Sequence, residues 1–226
     1  MSDLLVAAVV FIGAHVGIAS TPIRGQLVAS IGERAYTILF SLVAAVTLVW
    51  LVIAYGRAPY EPLLPTGTVL RGLPLVTMPL ALLLLVGGLA APNPMAVGQA
   101  PDPDAPEPAR GILRVTRHPL MWALGLWALA HLLATGDRAS VLFFGAFAAL
   151  ALGGTFLLDA KHTARNRPGW GIFLQRTSNL PLLAIVERRQ RLVPAEIGLK
   201  VPAIAIALYV ALLAAHGWLF GASPWP

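Results

Sequence analysis

The chain contains no cysteine. That excludes disulfides, thiolate-held zinc, iron–sulfur clusters and haem attached covalently through a C-x-x-C-H motif. Any metal here must be held by histidine, carboxylate or methionine. Charge is scarce as well: Asp, Glu, Lys and Arg make up 12% of the 226 residues, about half the ~25% usual for a soluble domain. No Asp, Glu or Lys falls deep inside any long apolar run, which argues against a proton relay or an ion pathway across a membrane.

Hydrocarbon fills the space that charge leaves. Hydrophobic residues make up 58% of the chain and mean hydropathy is +0.77. A soluble fold of this size could not bury so much Leu, Ala and Val, whereas a lipid bilayer requires such side chains on the outside. The formal charge of +6 does not indicate nucleic acid, because the basic residues sit at the ends of apolar runs. There they set topology and meet anionic headgroups. The composition predicts one all-α integral membrane domain over residues 1–226.

Six apolar runs, near 4–20, 36–54, 73–91, 119–135, 139–158 and 201–220, approach the ~20 residues that cross ~30 Å of hydrocarbon as a helix. They predict a six-helix transmembrane bundle. Pro74, Pro79, Gly87 and Gly88 predict a kink in the third span. The first run lacks a basic n-region and an A-x-A site, so it reads as a mature helix. Thirteen of the 16 Lys and Arg lie in 21–35, 92–118 and 159–200; the other three are Arg57, Arg71 and Arg138. This bias predicts that both termini face away from the cytoplasm, the periplasmic side if the membrane is a bacterial inner membrane.

Two of the basic loops are long. Residues 91–111, rich in Pro and acidic, predict a mobile connector. Residues 159–194 alternate basic residues with apolar clusters. That pattern predicts an amphipathic inner-surface segment, with Trp170 and Phe173 dipping into lipid and arginines facing headgroups. No internal repeat is visible.

Three of the five histidines, His15, His131 and His216, lie inside spans. Ionisable groups are costly there and mark functional sites by default, although a neutral imidazole can also simply bond a neighbouring helix. Three in six spans, with little other buried polarity, point to a shared site. His15 lies two residues after Gly13, which pairs with Gly17 as a small-xxx-small helix-packing face, so the ring points away from that face. An imidazole from each of two helices with apolar walls suits b-type haem; zinc would ask for further ligands. Counted from the inner surface at 1.5 Å per residue, His15 lies ~8 Å deep, His131 ~18 Å and His216 ~22 Å. His216 is therefore closer in depth to His131.

A second constellation is "GILRVTRHP". Arg114 and Arg117 stand one turn apart before a helix opening at Pro119, which makes an anion site. The plainer reading is a pair of juxtamembrane arginines that hold headgroups. His118 beside them can be a ligand, a hydrogen-bond donor or an interface residue. Glu33 in "GERAY" reads as a loop salt-bridge partner.

The stretches "GAHVGIASTPIRGQLVASIGERAYTILFSL", "GILRVTRHPLMWALGLWALAHLLATGD" and "RTSNLPLLAI" resemble the NnrU membrane proteins and the related plastid 15-cis-zeta-carotene isomerase. The resemblance implies noncovalent haem b with His15 and His131 as axial ligands; the depth count keeps His216 as the alternate. The isomerase carries a Cys where this chain has Ala128, so a thiolate–imidazole exchange at the iron is not open to it. For the bacterial branch the resemblance implies support of denitrification, through the production or activity of nitrite and nitric oxide reductases. Either those reductases or a hydrophobic small molecule would then be the partner. Arg114, Arg117 and His118 become candidates for the haem propionates. "TRHPLM" also resembles the R-H-P motif of membrane methyltransferases that use S-adenosylmethionine. Met121 and Ala123 depart from that motif, and Asp159 stands alone where that family has a Glu pair.

Overall fold

Backbone N–H and C=O groups have no partner in lipid, so apolar runs with few breakers satisfy them internally as helices. The computed structural model, which describes residues 1–18, 21–96, 99–102, 104–105, 107–165 and 168–226, follows that rule. Helix α1 (Ser2–Gly13) runs into a π-helical turn, Ala14–Ile18. The helices that follow are α2 (Pro22–Ile31), α3 (Glu33–Arg57), α4 (Thr68–Arg71) and α5 (Leu73–Ala90). A 3₁₀ turn, Gly111–Arg114, precedes α6 (Pro119–Thr135) and α7 (Arg138–Arg165). Three short helices, α8 (Trp170–Arg176), α9 (Leu183–Val186) and α10 (Pro194–Ile197), lead to α11 (Lys200–Phe220). Among the described residues there is no β-strand, only an isolated bridge between Pro62 and Asp137.

Four helical segments are long and apolar enough to cross a membrane: Glu33–Arg57, Thr68–Ala90, Arg138–Ala164 and Lys200–Phe220. The pair Ser2–Ile18 and Pro22–Ile31, bent by 72°, is a fifth if it counts as one span. Helix α6 is apolar but has 17 residues. Large apolar side chains such as Val46, Val76, Leu89 and Val210 point outward, each more than half exposed. A hydrocarbon-facing surface has that character.

Helix α6 packs between α5 and α7, α11 lies on the other side of α5, and α1 packs on α3 and α7. One core joins Leu4, Phe11, Leu51, Ala128, Phe143, Phe144 and Phe147. Glycines are used where helices approach. A Cβ on Gly125 would come within 2.5 Å of Leu152, and one on Gly88 within 3.0 Å of Leu120 and Pro119. Gly87 and Gly88 thus serve close packing inside a helix that continues through Pro79.

Three sequence expectations are corrected here. No neighbour among the described residues packs against Gly13 or Gly17, so no described helix uses them as a packing face; the π turn that begins after Gly13 takes that stretch out of α-helical register. Trp170 and Phe173 are buried against Met95, Ala109 and Leu113, not in lipid. That same contact pins both ends of the connector, since Met95 and Ala109 are buried too. The large apolar side chains this segment does expose are Ile172, Leu180, Leu182, Val186 and Leu192.

Candidate functional site

The chemistry-bearing residues gather at the two ends of α6. Near its C-terminal end a cavity of about 690 Å³ opens between α5, α6 and α11, within the ~300–1,000 Å³ typical of small-molecule sites. Its walls are mostly apolar: Pro74, Leu75, Met78 and Leu82 from α5, Trp127 from α6, Leu213 and Phe220 from α11. Tyr209 ties α11 to α5 by donating to the Leu75 carbonyl at 3.0 Å. Gly136, at φ +63°, ends α6 in the left-handed region that glycine tolerates. Its carbonyl accepts the N–H groups of Leu63 and Leu64 at 3.0 and 2.9 Å. The loop to Thr66 is thereby held at the cavity rim.

His131 and His216 both line this cavity. The His131 Nδ1 lies 2.8 Å from the Trp127 carbonyl and the His216 Nδ1 2.9 Å from the Ala222 carbonyl. A carbonyl only accepts, so Nδ1 of each neutral ring carries the proton and donates it. Each Nε2 is left with a lone pair and no hydrogen-bond partner among the described residues. Metal-ligating imidazoles take this form: the other ring N–H donates to a carbonyl and orients the free nitrogen.

His15 has the same local arrangement, donating from Nδ1 to the Phe11 carbonyl at 2.7 Å. It sits in the π turn, an uncommon element found disproportionately at functional sites. Its ring meets Phe11 at 4.5 Å and Phe40 at 5.8 Å, and it does not line the cavity. His131 lies against Phe144, whereas Phe11, one turn before His15, lies against Phe147. The two rings are thus about two turns apart along the bundle, roughly 10 Å. Among the described residues no three His, Asp or Glu side chains converge as a metal site. Ala128 is fully buried in the core with α1 and α7, so position 128 does not face the cavity.

The other end of α6 holds Arg114, Arg117 and His118. Arg117 donates Nε and Nη2 to Asp159 at 2.8 and 2.7 Å, and Nη1 to the Thr177 carbonyl at 3.0 Å. His118, 2% exposed, bonds the same carboxylate through Nε2 at 2.8 Å, and Asn179 adds a fourth donor at 3.1 Å. Arg114, 4% exposed, is bidentate to Glu196 at 2.7 and 2.8 Å and also donates to Gln190. Its guanidinium, with the Gly111 N–H, pushes the Glu196 carboxyl down to about 2 against the opposing effect of burial. The carboxylate in turn pushes Arg114 further up.

These three residues were expected to face a cofactor, and the structure turns them onto protein carboxylates. His118 and His131 are also 13 positions apart on α6, or ~20 Å. A porphyrin ligated at His131 cannot extend its propionates that far. Glu33 pairs with Arg24, as its loop position suggested. Asp159, Asp137 and Arg71 are the residues that sequence reasoning passed over as partners. The signals were present: Asp159 is the one carboxylate in the seventh helix, and Asp137 stands just before a helix start, where it accepts the Ser140 N–H at 3.0 Å.

A family description, "NnrU protein", matches residues 3–224. Two curated relatives are named 15-cis-zeta-carotene isomerase, chloroplastic. The one from Zea mays is 26% identical over 196 residues, covering 84% of this chain and 52% of the relative. The one from Arabidopsis thaliana is 28% identical over 231 aligned positions, covering 97% of this chain and 61% of the relative. The chain thus spans between half and two thirds of these relatives' own length. No solved structure matches it. With nearly the whole length matched by the family description, the chain belongs to the NnrU protein family.

Proposed function

We propose that this membrane protein binds haem b noncovalently in the cavity between α5, α6 and α11, where the His131 Nε2 would hold the iron. The observation that carries the reading is a pair of imidazoles on one apolar cavity, each with Nδ1 tied to a carbonyl and Nε2 left open. His216 is the second ligand that the shared cavity favours. His15, which the family likeness pairs with His131, would require α1 to shift along the bundle by about two turns. Haem held there would supply redox chemistry. The chain's own contribution is to orient the imidazoles through Trp127 and Ala222 and to exclude water with Met78, Trp127, Leu213 and Phe220.

The role we assign is support of denitrification, through the production or activity of nitrite and nitric oxide reductases in a bacterial inner membrane. In that setting the chain forms six spans, α1 and α6 included, with both termini periplasmic. The exposed Leu182, Val186 and Leu199, set among Arg188, Arg191 and Lys200, rest on the inner leaflet. A second reading, haem-dependent isomerisation of a carotenoid-like lipid, is favoured by the names of the two curated relatives and by the apolar cavity.

The test is the ultraviolet–visible spectrum of the detergent-purified protein, oxidised and reduced, with a pyridine haemochrome assay. We expect a b-type spectrum that His131→Ala abolishes, His216→Ala abolishes or turns high-spin, and His15→Ala leaves in place. Loss in His15→Ala with retention in His216→Ala would reassign the second ligand. A wild type that stays colourless after reconstitution with haem would sink the reading.

A further inference from the structure

The cavity has a charged rim as well as an apolar body. Arg71, the last residue of α4, is the one Lys or Arg among its lining residues. Its side chain is solvent-exposed and makes no hydrogen bond or ion pair with any described residue. Two carboxylates at this end of α6 are committed elsewhere. Asp137, also on the cavity wall, accepts from the N–H and hydroxyl of Ser140. Glu61 pairs with Arg138 at 2.8 Å. At the opposite end of α6, Arg114 and Arg117 are filled by Glu196 and Asp159. An open guanidinium at the mouth of an apolar cavity is complementary to a ligand with an anionic end and a hydrocarbon body.

We propose that Arg71 is the anion anchor of this cavity, pairing with a carboxylate of the bound ligand while the apolar part lies against Met78, Trp127, Leu213 and Phe220. The assignment rests on the haem reading above, in which that carboxylate is a haem propionate. A fatty acid presents the same carboxylate chemistry. Tyr60 and Thr66, on the same rim, supply further hydrogen-bonding groups beside the guanidinium. A propionate at the exposed Arg71 would face water, where an anion is stable.

The experiment uses the full chain in detergent micelles, titrated with haemin and with haemin dimethyl ester, whose carboxylates are masked. The proteins are the wild type, Arg71→Gln, Arg71→Lys and, as a control cation away from the cavity, Arg57→Gln. Arg71→Gln is expected to bind haemin at least about tenfold more weakly, the scale of one charge-assisted pair, with Arg71→Lys recovering part of the loss. The dimethyl ester is expected to bind the wild type and Arg71→Gln equally, a result that a merely misfolded variant would not give. Equal haemin affinity in wild type and Arg71→Gln would overturn the proposal while leaving the haem reading intact. If the wild type binds no haemin, displacement of a fluorescent fatty acid by oleate decides the remainder. Displacement that depends on Arg71 retains the anion anchor without haem, and displacement that ignores Arg71, or its absence, overturns both.

Discussion

At the scale of single residues, the histidines divide by what their second nitrogen meets. His118 spends its Nε2 on Asp159, 2.8 Å away, and belongs to a hydrogen-bonded clamp. His15, His131 and His216 spend only Nδ1, on a carbonyl of their own helix or the turn that follows it. That difference decides which of them can serve a ligand, and it is set by tertiary partners that residue type does not reveal. Asp159 is the hinge of the clamp, accepting from Arg117, His118 and Asn179 together. Asp159→Asn leaves a largely buried guanidinium without its counter-charge. The expected loss is about 3 kcal/mol, read as a lower unfolding midpoint in detergent by tryptophan fluorescence. An unchanged midpoint would show the clamp to be ornamental. His131 stood out from the sequence alone, because an imidazole inside an apolar run has no cheap explanation. The Arg117–Asp159 pair did not, because 42 positions separate its members and no local pattern joins them.

At the scale of elements, hydrophobicity places the long helices, of which four among the described residues, or five with the bent first pair, are long and apolar enough to cross a membrane. The main extension beyond an apolar run is α7, which continues to Arg165 so that Asp159 can reach the clamp. The short helices between α7 and α11 behave differently from their amphipathic reading. Their largest aromatic side chains close over Met95 and Ala109 instead of entering lipid. The α10 helix is stapled to the 3₁₀ turn before α6 by Glu196, Arg114 and the Gly111 N–H. Because the Glu196 carboxyl titrates near 2 in the fold and near 4.5 as a free group, the staple contributes its full stability above about 4.5. That contribution drains away as pH falls toward 2. Unfolding in detergent, followed down through this window, should show a loss of stability that Glu196→Gln largely removes. A variant with the same acid profile as the wild type would place the titration elsewhere.

At the scale of the whole molecule, charge sorts to one side. Arg114, Arg117, Arg176, Arg188, Arg189 and Arg191 crowd the end of the bundle where α6 begins, and Arg71 and Arg138 stand at the end where it finishes. In the topology proposed above, this asymmetry would turn the cavity mouth toward the periplasm. Since the chain has no cysteine, single substitutions report topology directly. Tyr60→Cys, beside the cavity, is expected to react with a membrane-impermeant maleimide in intact cells. Arg191→Cys is expected to react only after the membrane is permeabilised. The reverse pattern would invert the molecule and place the cavity mouth in the cytoplasm.

The sequence by itself determined the apolar, all-helical character of the chain and where its long apolar helices lie, and it singled out three imidazoles inside apolar runs. Each of these rests on local composition and on the cost of polar groups in hydrocarbon. Only the tertiary structure decided which imidazoles share a cavity, that Trp170 and Phe173 face protein, that Arg114 and Arg117 are saturated by carboxylates, and that Arg71 is left open at the rim. Those outcomes depend on pairings between residues tens of positions apart. Hydropathy carries no record of such pairings, because it sums each side chain's affinity for water and not its distance from any other.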